Sequence, residues 1–145
     1  MNDSSSTAAP LSMSFLVLGA AHEVEARLEG ALGQVGLSLA KFRVLSQLLE
    51  VGEAMPLGQL AERCSCVRSN MTQLVDRLEA DRLVQRVADA SDRRCVRAVL
   101  TDEGRRRHTE GARILEETER EVFARLGAPD RAALEHLVQL LRQPA

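Results

Sequence analysis

Apolar residues recur every three to four positions along most of this chain, the spacing of one helical face. Val17, Ala21, Val24, Leu28 and Leu32 form such a stripe and predict a helix from residue 10 to about residue 35. Phe15, Leu16 and Leu18 make its early part apolar nearly all round, so that part is expected to be covered on more than one side, in a core or by a second subunit. Ser38 is suited to cap a second helix, with Leu37 placed to staple onto Phe42. That helix runs to about Glu50, turns Phe42, Leu45, Leu48 and Leu49 inward and stops at Gly52. Pro56 opens a short helix with Leu57, Leu60, Ala61 and Cys64 on its inner face. After a break at Cys64, Ser65 and Cys66, the spacing predicts another helix with Val67, Met71, Leu74 and Leu78 as its buried centre and Val75 beside them.

Around Arg82 the period shortens towards two. Residues 83–87 and 95–100 are β-compatible runs on either side of the polar stretch 88–94, which predicts a hairpin with a long tip. Thr101 then caps a long helix, with Asp102 and Glu103 where the helix dipole favours acids. That helix carries Leu115, Thr118, Val122 and Leu126 inward and ends at Gly127. A last helix follows Pro129 with the stripe Leu134, Leu137, Val138 and Leu141. Residues 1–9 show no apolar period and are expected to form a disordered arm. The fold class is therefore mainly α with a small β-hairpin, and a helix-turn-helix followed directly by a hairpin is a winged helix.

Composition narrows the picture further. The 145 residues are 45% hydrophobic and 28% charged but include only three aromatics, Phe15, Phe42 and Phe123, so the core is aliphatic and a β-sandwich is disfavoured. No stretch approaches the eighteen apolar residues of a membrane span, and the short apolar run at 13–21 lacks the basic region that precedes a signal peptide's core. Three cysteines do not make a secreted disulfide framework, so a cytoplasmic protein with no cofactor is expected. Glycine-rich phosphate loops, nucleophile elbows and HExxH motifs are absent, which argues against an enzyme.

The candidate chemistry lies on the outer side of the helix after the turn. Opposite its apolar stripe stand Ser69, Thr72, Gln73 and Asp76, with Asn70 on the flank. Short hydrogen-bonding side chains of this kind reach base edges or phosphates in a major groove, and Arg68 and Arg77 flank them as phosphate contacts. At the hairpin tip, Arg93 and Arg94 project where packing gives them no role; a narrow minor groove attracts such arginines, and Asp92 is placed to fix their orientation.

These residues carry a family resemblance. Leu60-Ala61-Glu62-Arg63, the run from Ser69 to Glu79, Asp92-Arg93-Arg94 and Leu100-Thr101-x-x-Gly104 resemble the winged-helix core of the MarR family of bacterial transcriptional regulators. The resemblance implies a homodimer on a palindromic double-stranded DNA operator, with recognition helices in successive major grooves and Arg94 as the minor-groove probe oriented through Asp92. It implies a dimerisation helix at 10–36, a DNA-binding core at 37–104 and dimerisation helices at 105–145. It further implies a small-molecule effector, whose identity and binding residues stay unknown. Three positions depart from the family pattern: Arg82 and Ser65 stand where glycine is usual, and Val67 replaces a common Ser or Thr.

Two other readings compete. A winged helix also serves as a protein-interaction module without reading DNA. Cys64, Cys66 and Cys95, flanking the turn and lying in the wing, would make a redox- or metal-responsive regulator, although Cys64 and Cys66 also suit small buried positions. His22, His108 and His136 are isolated, and His108 is expected to be half-buried and hydrogen-bonded.

The net charge of −2 speaks against DNA only as an average. Residues 1–62 hold three basic and seven acidic groups, residues 63–107 eleven arginines and seven acids, and residues 108–145 five basic and seven acidic groups. The positive block coincides with the candidate reading surface.

Overall fold

The computed structural model describes residues 10–144, with side chains from residue 12 onward. The arm expected at residues 1–9 lies outside the described residues. Six helices and three short strands follow in the order α1 (Pro10–Gly33), α2 (Leu39–Val51), β1 (Met55–Pro56), α3 (Leu57–Arg63), α4 (Arg68–Ala80), β2 (Val84–Ala88), β3 (Val96–Leu100), α5 (Asp102–Val122) and α6 (Ala128–Arg142).

The predicted caps hold the helix starts. Ser38 Oγ accepts the Lys41 N–H at 3.1 Å, and Thr101 Oγ1 accepts the Gly104 N–H at 3.0 Å. Three helix ends use one motif, in which a residue two or three positions past the helix is left-handed and the next N–H returns to a carbonyl five residues back. Leu37 N–H donates to Leu32 O at 3.0 Å, Cys66 N–H to Ala61 O at 2.9 Å and Leu83 N–H to Leu78 O at 2.9 Å. The left-handed residues are Gly36, Ser65 (φ 51°) and Arg82 (φ 62°). The last two form the turn into α4 and the turn out of it, at the positions where the sequence departs from glycine.

The sheet is antiparallel in the order β1-β3-β2, with Met55 opposite Ala98 and Val84 opposite Leu100. The sequence pattern missed β1, because two residues are too few to show a period. Leu32, Val44, Leu45, Leu48, Met55, Leu60, Met71, Val75, Leu78, Leu83, Val84 and Ala98 form the aliphatic centre. Four expectations need correction. Leu49 is exposed and Val44 takes the inward place in α2. Val67 is 61% exposed, because α4 starts only at Arg68 and Val67 stands outside its stripe. The long helix α5 ends at Val122, with residues 123–126 forming a hydrogen-bonded turn before Gly127. Its tightest contacts come from Gly104 and Gly111, while Leu115, Thr118, Val122 and Leu126 are only half-buried.

Leu37 and Phe42 both close on Gly111, which ties α5 to the start of α2. Among the described residues, the apolar start of α1 and the apolar stripe of α6 stay largely exposed. Phe15, Leu16 and Leu18 are more than 60% exposed, and no residue of α6 is buried.

Candidate nucleic-acid interface

The helix-turn-helix is set by its apolar inner side. Leu60, Ala61 and Cys64 of the α3 segment meet Met71, Val75 and Leu78 of α4 in one cluster. This orients the other side of α4 outward, and Arg68, Ser69, Asn70, Thr72, Gln73, Asp76 and Arg77 are all exposed. Thr72 Oγ1 donates to Arg68 O at 3.1 Å, so its hydroxyl hydrogen is engaged while its lone pairs face solvent. Asn70 also edges a cleft of about 380 Å³ between α4, the turn and the start of α2, lined by Arg43, Cys66 and Val67 among others.

The arginines of the basic block divide into two sets. Arg63, Arg86, Arg97, Arg106 and Arg107 form ion pairs within the chain. Among the described residues, Arg68, Arg77, Arg82, Arg93, Arg94 and Arg105 form none. The expected phosphate and wing contacts thus all fall in the second set, whose charge is not neutralised internally.

The paired set builds the frame, and the sequence reading did not single it out. Arg86 of β2 reaches Asp76 Oδ1 at 2.5 Å and Glu79 Oε1 at 3.2 Å on α4. Arg97 of β3 donates from Nε and Nη2 to Asp89 Oδ2, at 3.1 and 3.0 Å, and from Nη1 to Ala54 O at 3.3 Å. Asp89 also accepts the Ser91 N–H and hydroxyl, and these bonds with the arginine hold its carboxyl down to about 2. A carboxylate and an arginine eight residues apart across a predicted hairpin were the available signal.

Asp92 acts differently from the expectation. Its Oδ1 accepts the backbone N–H of Arg94 at 2.9 Å, and its carbonyl accepts Cys95 N–H at 3.0 Å. It therefore shapes the tip backbone that carries Arg93 and Arg94 and binds neither guanidinium. Both arginines are exposed.

The three cysteines are free thiols. Burial pushes the Cys64 thiol above its ordinary value, which disfavours the reactive thiolate. Cys66 and Cys95 are half-buried, and Cys66 Sγ lies 3.5 Å from Val67 O. Among the described residues no cluster of three or more His, Cys, Asp or Glu is placed to hold a metal ion. No described helix is long and apolar enough to cross a membrane.

A helix-turn-helix with an outward polar face, followed at once by an arginine-tipped hairpin that pairs with the preceding strand β1, defines a winged helix-turn-helix protein. Residues 35–94 match the MarR family. YsmB, a helix-turn-helix transcriptional regulator of Bacillus subtilis, is 39% identical over 75 residues, which are 52% of this chain and 51% of YsmB. The transcriptional repressor MdtR of the same organism is 36% identical over 69 residues, 48% of this chain and 44% of MdtR. The fold is shared with a cysteine-to-serine mutant of MarR from E. coli solved in complex with operator DNA. The TM-score is 0.79 at 21% identity, over 91% of this chain and 94% of that one. The chain spans about half the length of the two curated relatives. Its winged-helix core is similar to that of the MarR family.

Proposed function

We propose that the chain is a sequence-specific, DNA-binding transcriptional regulator, acting as a repressor and binding a palindromic operator as a homodimer. One observation carries this reading: the unpaired arginines Arg68, Arg77, Arg93 and Arg94 and the polar residues Ser69, Asn70, Thr72 and Gln73 all stand exposed on the recognition helix and wing tip. In this reading Gln73 and its polar neighbours meet base edges in the major groove, Arg68 and Arg77 meet phosphates, and Arg94 enters the minor groove beside Arg93. The uncovered apolar faces of α1 and α6 support pairing of two copies. A small-molecule effector, implied by the family resemblance, completes the proposal. The apolar clefts of about 280 and 260 Å³ along α5 are candidate places for it.

The test is a gel shift with DNA from upstream of the chain's own gene, titrated with salt. If about four phosphates are contacted, affinity should fall roughly 100-fold between 50 and 200 mM salt. Gln73→Ala should lose discrimination among operator variants more than it loses affinity for random DNA. A chain that shifts no such DNA at low salt would overturn the reading.

A further inference from the structure

We propose that Arg86 is a positioning residue that sets the angle between the wing and the recognition helix, an inference that rests on the DNA-binding reading above. Its guanidinium, only a quarter exposed, holds three acceptors on successive turns of α4: Thr72 O at 3.3 Å, Asp76 Oδ1 at 2.5 Å and Glu79 Oε1 at 3.2 Å. The Arg86 backbone N–H adds a fourth bond, to Glu79 Oε2 at 2.8 Å. One side chain thus fastens strand β2 to more than a full turn of α4 by a planar, forked donor, a geometry that a lysine does not reproduce.

The position of this fastening gives it leverage. Near the root of the hairpin the strands are held by burial, with Val84, Ala98 and Leu100 in the core. Towards the tip that support fades, and Val96 and Ala88 are exposed. A two-stranded ribbon has little stability of its own beyond such support. Arg86 faces Ala98 across the ladder, so Arg94, in the turn before β3, lies four residues nearer the tip. At a strand rise of about 3.3 Å per residue that is at most about 13 Å of reach, and a 10° swing would move the tip by up to about 2 Å. A hydrogen bond of about 2.9 Å does not survive that displacement. Arg86 also offsets the Asp76 and Glu79 carboxylates, which otherwise present two negative charges beside a surface that meets a polyanion.

A double-mutant cycle on operator affinity distinguishes positioning from general stabilisation. Arg86→Gln and Arg94→Ala are measured singly and together, on the upstream DNA fragment that the parent chain binds. Residues this far apart with no shared partner are expected to act additively unless one acts through the other. Arg86→Gln should weaken binding about tenfold in the parent, but twofold or less once Arg94 is already Ala. Hydroxyl-radical protection in the flanking minor groove should fade with it. Arg86→Lys should fall between parent and Gln. If Arg86→Gln proves unfolded by circular dichroism, Asp76→Asn breaks the shortest of the same bonds from the other end and is put through the same cycle. Equal losses in both backgrounds, or no loss at all, would overturn the inference and leave the DNA-binding reading standing. A parent that binds no DNA overturns that reading, and this inference with it.

Discussion

The His108 imidazole lies flat on the Phe42 ring, with centroids 4.7 Å apart and planes 7° from parallel. Its Nε2 is 2.9 Å from Ser46 Oγ, and that hydroxyl is itself 2.9 Å from Phe42 O. The single hydroxyl hydrogen goes to the carbonyl, so Ser46 Oγ accepts and His108 Nε2 carries the proton of the neutral ring. Burial lowers the His108 pKa from its ordinary value near 6.5.

The unfolded chain takes up a proton as pH falls below about 6.5, while the folded chain resists, so the stability present above that pH is lost as pH drops through the lowered folded value. The melting temperature is expected to fall between pH 7 and pH 5. In His108→Gln the slope in that window should flatten. An unchanged slope in the variant would assign the pH dependence to other groups.

Gly104 explains the last glycine of the motif that begins at Leu100. A Cβ at this position would overlap the Leu83 carbonyl oxygen and stand 2.8 Å from Leu100 Cδ1. The same carbonyl accepts the Thr101 N–H at 3.1 Å, so it is not free to move aside. Gly104→Ala should destabilise the domain by about 3 kcal/mol or more, despite the better helix propensity of alanine. Denaturant unfolding checks this, and a loss below about 1 kcal/mol would show that the wing root yields easily.

What the sequence reveals of the structure depends on range. Helix existence, caps and the hairpin followed from local periods and from Ser38, Gly52 and Thr101. Val67 differs because an apolar residue one position before a helix continues the stripe in the sequence but stands outside it in space. Leu49 faces outward because the stripe of α2 centres on Val44, Leu45 and Leu48. The arginine pairings were hidden for a different reason. Arg86 and Asp76 lie ten residues apart across a turn, so their contact follows from the angle between hairpin and helix. Whether an apolar face meets its own chain or another is likewise a matter of topology, which a local stripe does not carry.

Arg82 holds a left-handed backbone that costs a residue with a Cβ about 1 kcal/mol relative to glycine. Its N–H and carbonyl are both used, by Glu79 O at 2.9 Å and by Thr101 Oγ1 at 2.7 Å, so the conformation is fixed from outside the side chain. The guanidinium is exposed and unpaired among the described residues, at the exit of the recognition helix. Arg82→Gly should therefore keep or slightly raise the melting temperature, because relief of strain roughly offsets the extra freedom of the unfolded chain. It should also weaken operator binding several-fold. Loss of stability without loss of binding would show that the arginine is kept for packing.

The uncovered helices give the remaining prediction. Leu18 of α1 is 62% exposed and Leu137 of α6 is 56% exposed, each among further exposed apolar neighbours. Apolar faces of this kind on two helices are expected to be buried between copies of the chain. By sedimentation the parent should be a dimer, twice the 15.9 kDa chain. Leu18→Glu and Leu137→Glu each place a charge in that interface and should shift the species to monomer. Since neither residue belongs to the winged-helix core, the helical circular dichroism of that core should persist. Operator affinity should fall far more than affinity for random DNA, because two half-sites then have to be bound independently. Dimers that survive both substitutions would place the interface elsewhere on the chain.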